Sequence, residues 1–252
     1  MMGTRMSETS IGKVAEIWRY PVQSMRGESL AETEIGAAGI VGDRAYGIVD
    51  PQSSAVVSSA QGRRRWRGIV TLTARYRAAP TAQGAPAPID ILLPDGTTLA
   101  GEQTDIDARL GAVLGQAAHL ADKATEGVRS TYDHSPLHLL TTATLKQLAE
   151  HHAKGEFVSA RFRPNVVIDT DAQKGFIEQG WIERRLLIGE IEIAVTEDCK
   201  RCVMTTLPQG PLPMDPGILH TVTVQNRTRA GIYAAVTRPG TIKIGDAVRL
   251  LD

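Results

Sequence analysis

Cysteine is nearly missing from this 252-residue chain: Cys199 and Cys202 are the only two. Two thiols cannot hold an iron–sulfur cluster, which takes four protein ligands, and there is no second C-x-x-C to complete a four-cysteine zinc site. Net charge is missing as well. Lys plus Arg and Asp plus Glu both number 28, so nothing global draws the chain to nucleic acid or to an anionic membrane. No apolar run approaches a membrane span, and the opening MMGTRMSETS has no core of signal-peptide length. Lysine is scarce too, with seven among the 28 cations. The arginine excess suits bidentate binding of phosphate or carboxylate, although a GC-rich genome gives the same bias. Two cysteines in an otherwise ordinary globular composition fit a reducing cytoplasm, where thiols stay free.

What is present is organised around Ile191 to Pro208, IEIAVTEDCKRCVMTTLP. Ile191, Ile193 and Val195 alternate with polar or small residues as in a half-buried strand, which then delivers both cysteines. Lys200 and Arg201 flank Cys202 and would favour its thiolate, the form that attacks electrophiles and binds metals. The ordinary fate of a free cysteine is that of a small buried hydrophobe. A thioredoxin-like dithiol would open a helix. Val203 to Thr206 is instead a β-branched run ending near Pro208, which predicts strand or loop.

The rest reads mostly as strands. Lys13–Tyr20 would place Val14, Glu16 and Trp18 on one face. Strands follow at Leu30–Ile35, Arg44–Asp50 and Ile69–Tyr76, and IDILLPDGTTLA predicts a hairpin about Asp95-Gly96. Thr104 with Asp107 resembles a capping box for a helix marked by Ile106, Leu110 and Leu114 and ending near Gly115. A basic run, Gln61–Arg67, contains Trp66. It could stack on single-stranded nucleic acid, but a solvated face is the commoner reading. TAQGAPAP reads as a loop and Ala121–Ser135 as a linker.

In the second half, a helix capped by Thr141 or Thr142 carries Leu145, Leu148 and Ala149 on one face, and its free amides would suit a phosphate. His151 and His152 read as solvent-facing. Arg161, Arg163 and Asn165 precede a buried strand, VVID, where two arginines could converge on an anion. Arg184–Val195 reads as two β-arms around Gly189 and Glu190, and GPLPMDPG as a possible lid. TVTVQNRT, GIYAAV and GTIKIGDAVRLL read as strands, the last turning at Gly245-Asp246.

YPVQSMRGE and GDRAYGIVD in the first half, RFRPNVVID and CKRCVMTTLPQG in the second, and the ending VQNRTRAGIYAAVTRPGTIKIGDAVRL resemble the MOSC family (molybdenum cofactor sulfurase C-terminal domain) with its N-terminal β-barrel domain. The resemblance implies a mainly β fold with a few helices: a MOSC N-terminal β-barrel domain over residues 11–120 and a MOSC β-barrel domain over residues 130–252. It also implies a molybdenum cofactor (Mo-molybdopterin) held between them, with pyridoxal phosphate binding as a further family association. Cys202 matches the cysteine that ligates molybdenum in amidoxime-reducing enzymes. Gln23, Ser24, Arg44, Thr141, Thr142, Arg163, Asn165 and Arg201 would hold the pterin and its phosphate. One departure stands out: the related motif has lysine before its serine, and this chain has Gln23, which brings no charge. Cys199 inherits no role.

The activity so implied is an oxidoreductase that reduces N-hydroxylated small molecules. Its electrons would come from a separate flavin or iron–sulfur donor protein, since the chain cannot build a cluster. Neither nucleic acid nor membrane is expected as a partner. Two alternatives remain open, a sulfur-transfer protein using a Cys202 persulfide and a non-catalytic carrier of the cofactor.

Overall fold

In the computed structural model, which describes residues 8–60, 65–82, 87–127 and 135–251, the first strand is paired along both edges by strands from the far half of the chain. This strand, β1 (Glu8–Arg19), is followed by β2 (Glu28–Leu30), β3 (Glu32–Gly36), β4 (Gly39–Ile40), β5 (Tyr46–Asp50) and β6 (Ala55–Val56). A 3-10 turn (Arg67–Thr71) leads to β7 (Thr73–Tyr76), β8 (Ile89–Leu92), β9 (Thr98–Ala100), α1 (Ile106–Leu114) and β10 (His119–Asp122). The second half runs β11 (Leu137–Thr141), α2 (Thr142–His151), α3 (Ser159–Phe162) and β12 (Val166–Asp169), then a 3-10 turn (Ile177–Trp181), β13 (Arg185–Ile188) and β14 (Ile191–Lys200). A further 3-10 turn (Val203–Thr206), α4 (Pro216–Asn226), β15 (Arg229–Arg238), β16 (Gly240–Lys243) and β17 (Ala247–Leu251) complete it.

The fold is mostly β. The order β12-β11-β15-β14-β13-β17-β1 returns to β12 and closes a seven-stranded barrel, with β2 added outside β1. Only β11 and β12 pair in parallel there, and α2 and α3 form the crossover between them that parallel pairing needs. The alternation of Ile191, Ile193 and Val195 does point inward, onto Val14, Ile17, Leu139, Val166, Ile168 and Ile232. Each such aliphatic side chain contributes about 1.5–3 kcal/mol by leaving water. Two three-stranded sheets, β10-β5-β6 and β7-β8-β9, wrap a separate core of Met25, Ile48, Ile69, Leu72, Ile91 and Leu110. Division into units of 11–120 and 130–252 stays a proposal. β1 crosses it, and so does the sheet β16-β3-β4.

Several local expectations need correction. The single face of Val14, Glu16 and Trp18 is broken by a register shift between Val14 and Glu16, so that Val14 and Ile17 both turn inward. Leu30–Ile35 is split between β2 and β3, and Ile69–Tyr76 begins in a 3-10 turn whose Ile69 and preceding Trp66, three apart, are both buried. Trp66 is therefore unavailable for stacking, while residues 61–64 of that basic run lie outside the described residues, as do 83–86 of the TAQGAPAP loop and 128–134 of the linker. Thr104 does not cap α1, whose N-cap is Asp105 without a side-chain bond, although Gly115 ends the helix in the left-handed conformation as expected. TVTVQNRT lies mainly in α4 rather than a strand. Asp215 accepts a bond from the Gly217 amide, Pro216 opens the first turn, and Ile218 and Val222 pack on Leu140, Leu148 and Phe162. Capping and a four-residue apolar repeat outweigh the β preference of its threonines and valines. Val203–Thr206 is a 3-10 turn and not a strand.

Candidate functional site

Loops from both halves meet at a cleft beside the end of β14. From the first half it is lined by Gln23, Ser24, Arg44 and Ser58; from the second by His138, Arg163, Asn165, Arg201, Cys202 and Tyr233, among others. The described residues enclose about 110 Å³. That is below the roughly 300 Å³ at which small-molecule pockets begin, room for only part of a cofactor-sized molecule.

Three lining residues, Ser24, Arg44 and Arg163, have φ of 69°, 52° and 56°. A side chain in this left-handed region costs on the order of 1 kcal/mol or more, and such residues gather where geometry is held for a purpose. At Ser24 and Arg44 it is held by backbone bonds between the two first-half loops: Arg44 N to Tyr20 O at 2.7 Å, Tyr46 N to Pro21 O at 3.0 Å and Gln23 N to Tyr46 O at 2.9 Å.

Tyr20 lies beneath the arginines. The guanidinium carbons of Arg163 and Arg44 stand 4.3 and 5.1 Å from its ring centroid, and its hydroxyl donates to Pro164 O at 3.0 Å. Burial pushes the Tyr20 phenol well up, against the opposing pull of Arg163 and Arg44, so it is a neutral platform under two cations. Arg44 also pairs with Asp43 and reaches Asn165 Oδ1 at 3.5 Å. Asn165 is mostly engaged in stitching: its Oδ1 also accepts from His138 N at 3.1 Å and its Nδ2 donates to Trp18 O at 3.3 Å. It positions the cleft wall more than it offers free groups.

The two cysteines part company. Cys202 is exposed and Cys199 buried. Of the cations beside Cys202, Lys200 is exposed. Arg201 turns its guanidinium the other way, donating to Cys199 Sγ at 2.6 Å and to Phe162 O. Its Nη1 also stands 3.4 Å from His138 Nε2. Cys202 thus presents its sulfur at the cleft while Cys199 anchors an arginine behind it.

His138 escaped the sequence reading. Its only signal was a lone polar side chain inside the buried run of β11. Its Nδ1 lies 3.2 Å from Arg163 O, which can only accept, so Nδ1 carries the proton and Nε2 accepts from Arg201. Burial first, and then the charge of Arg201, hold this imidazole well below its usual pKa and therefore neutral.

Other expected residues lie elsewhere. Thr141 is buried, its oxygen capping the Thr144 amide at 3.1 Å and its hydroxyl donating to Glu178 at 2.7 Å. Thr142 donates to Asp169 at 3.2 Å. Neither lines the cleft, because the helix start expected to receive a phosphate is closed by its own cap. Arg161 does not converge with Arg163; it is buried and donates to the carbonyls of Glu156 and Pro213 at 3.0 and 2.9 Å, beneath the Val203–Thr206 turn. His152 faces Asp215 at 2.9 Å rather than open solvent. The loop read as a lid is tied down by Asp215 N to Thr206 O at 2.9 Å and by Arg161, and it lines none of the cleft.

Among the described residues no helix is long and apolar enough to cross a membrane, and no group of three or more His, Cys, Asp or Glu is arranged to hold a metal ion. The cleft instead combines one exposed thiol, three arginines and several hydroxyls. That donor set fits a ligand which brings most of its own metal ligands and carries an anionic group.

Comparison with known proteins agrees with this architecture. Mitochondrial amidoxime reducing component 2 of Rattus norvegicus is 25% identical over 296 residues, covering 96% of this chain and 84% of that protein. Mitochondrial amidoxime-reducing component 1 of Homo sapiens is 24% identical over 291 residues, covering 96% and 83%. The crystal structure of the YUAD protein from Bacillus subtilis superposes with a TM-score of 0.55 over 98% of both chains at 10% identity, a likeness of fold alone. A family model described as the MOSC N-terminal beta barrel domain matches residues 11–76, and one described as the MOSC domain matches residues 118–249. As the latter span covers more than half of its length, the chain belongs to the MOSC domain family.

Proposed function

We propose that this protein is a molybdenum-cofactor-dependent oxidoreductase that removes oxygen from N-hydroxylated small molecules, using electrons delivered by a separate flavin or iron–sulfur protein. The observation that carries the reading is the exposed thiol of Cys202 on a cleft that also receives Arg44 from one half of the chain and Arg163 from the other. Cys202 would be the one protein ligand to the metal, a soft donor suited to it. When bound, the group supplies a two-electron centre able to accept an oxygen atom.

The chain's own part is binding and orientation. Arg44 and Arg163, seated on Tyr20, and Ser24 at the same end would take the phosphate. Neutral His138 and Cys199 fix the direction of the Arg201 guanidinium. Asn165 keeps β11 and β1 in register behind it. The paucity of cysteine supports an external electron donor. Amidoxime reduction, named in the relatives at about a quarter identity, supports the substrate class. Pyridoxal phosphate is not part of this proposal.

The test is elemental and pterin analysis of protein made in a cofactor-synthesising host, followed by turnover of a benzamidoxime-type substrate with an added chemical reductant. Molybdenum and pterin at one per chain with turnover support the reading. Metal and pterin without turnover leave a carrier. Protein free of both but bearing a labile sulfur on exposed Cys202 points to sulfur transfer.

A further inference from the structure

Gln23 stands where the family motif carries lysine, and an ammonium from elsewhere in the chain lies against it. Lys123, 100 residues further along the chain, donates from Nζ to Gln23 Oε1 at 2.6 Å. Lys123 is only 7% exposed, and an ammonium this deep carries a desolvation cost that an ordinary surface lysine avoids. The fold makes room for it. Lys123 follows β10 and its amide donates to Ala45 O at 3.0 Å. Ala121 pairs with Gly47 in the adjoining ladder, and a Cβ on Gly47 would stand 3.1 Å from Lys123 Cε and 3.1 Å from a Val56 methyl. Gln23 is hung from the neighbouring Tyr46 carbonyl at 2.9 Å. The lysine and the glutamine are thus both fastened to the stretch from Ala45 to Gly47.

The direction of this bond fixes the amide. An ammonium has no acceptor, so the carbonyl oxygen of Gln23 faces Lys123 and its two N–H donors are left for the other side. Gln23 lines the cleft next to Ser24. The charge behind it polarises the amide and strengthens those donors. An oriented amide in front and a sheltered cation behind suit an oxyanion.

We propose that Lys123 acts through Gln23 as the relayed cation of the anion-binding end of the cleft, taking the part that a single lysine plays in the family motif. The inference rests on the proposed docking of a pterin phosphate at this end, and the test has two arms so that the two ideas can fail separately. One arm measures pyrophosphate binding by thermal shift on the full chain made in a host lacking the cofactor. The other measures molybdenum and pterin retained per chain through gel filtration at stepped NaCl, using protein from a host that makes it. Lys123→Met, Gln23→Lys and the exchange Gln23→Lys/Lys123→Gln are compared with wild type.

Lys123→Met is expected to weaken pyrophosphate binding about tenfold, the effect of losing one partly sheltered charge, and to release pterin at lower salt. Gln23→Lys alone should lower Tm, because two ammonium groups are brought within hydrogen-bonding distance. The exchange should restore pyrophosphate binding to within about threefold of wild type, since it keeps one ammonium and one amide in contact. If Lys123→Met fails to fold, the exchange variant decides: folded but unable to bind pyrophosphate, it overturns the proposal. Wild-type binding by Lys123→Met in both arms also overturns it, as does a wild type that does not bind pyrophosphate. If wild type holds no pterin but pyrophosphate binding depends on Lys123, the molybdenum reading falls and the relay stands.

Discussion

The Arg163 guanidinium lies 4.3 Å from the ring centroid of Tyr20, so that a residue of the YPVQS loop in the first half supports a cation from the RFRPN loop in the second. Pro164, the next residue along, accepts the Tyr20 hydroxyl at 3.0 Å. The two loops form one surface, and its charge comes from both.

Arg163→Ala is accordingly expected to loosen pterin retention while leaving the fold in place. The contact over a desolvated ring contributes on the order of 2 kcal/mol, and the left-handed backbone at this position is no worse for Ala than for Arg. Urea denaturation reads the stability and pterin content reads the site. Unchanged pterin in this variant counts against the role given to Arg163.

The cysteines predict opposite behaviour. Cys202→Ser should abolish turnover while moving stability by no more than about 0.5 kcal/mol, as for other exposed positions. Cys199→Ser should keep most of the activity, because a hydroxyl can still accept from Arg201. Cys199→Leu should not: the larger side chain at a fully buried site displaces that guanidinium and costs about 1–3 kcal/mol. Loss of activity in Cys199→Ser with Cys202→Ser active would show that the wrong thiol had been chosen.

How far the sequence could be read follows from what each feature depends on. Strands whose alternation runs undisturbed, such as Ile191–Val195, and turns fixed by Asp95-Gly96 or Gly115 depend on local chemistry and were legible. Gln23, Ser24, Arg44, Arg163 and Cys202, singled out by motifs that resemble a family, line one cleft. Thr141 does not reach the cleft, since the pattern places a hydroxyl at the helix start without saying that Glu178 waits inside to receive it at 2.7 Å. Arg161 and Arg163 look alike in RFRPN, but α3 ends between them, sending one under the Val203–Thr206 turn and the other to the cleft. Lys123 and His138 were missed because their meaning lies in partners 100 and 63 residues away.

Gly231 carries a prediction that no motif suggests. Its φ is 85°, and a Cβ there would stand 2.4 Å from His138 Nε2 and 2.6 Å from Leu139 O. Gly231→Ala must push β15 from β11 or turn the imidazole away from Arg201. A loss of more than about 2 kcal/mol is expected, from unsuitable backbone plus overpacking, together with a fall in pterin retention larger than in a core variant of equal stability cost. Equal retention in the two would reduce Gly231 to a packing residue.

The first half carries a pH-sensitive contact of its own. His119 is held between Asp107, 2.7 Å from Nδ1, and Glu126, 2.9 Å from Nε2. The Asp107 bond foremost, and then the Glu126 bond, raise its pKa above the ordinary 6.5. A histidine whose folded pKa exceeds its unfolded value binds its proton more tightly when folded. Its contribution is therefore complete below about pH 6.5 and disappears as pH climbs through the higher folded value. About 40% of each side chain is exposed, so screening keeps the effect small and sensitive to salt. His119→Gln should lose stability relative to wild type at pH 6 and approach it at pH 9, with the gap at pH 6 narrowing in 1 M NaCl. A gap that stays constant from pH 6 to pH 9 would mean that the imidazole acts by shape and neutral hydrogen bonding, leaving Asp107 and Glu126 to be held by the amides of Leu120 and Asp122 at 2.8 and 3.1 Å.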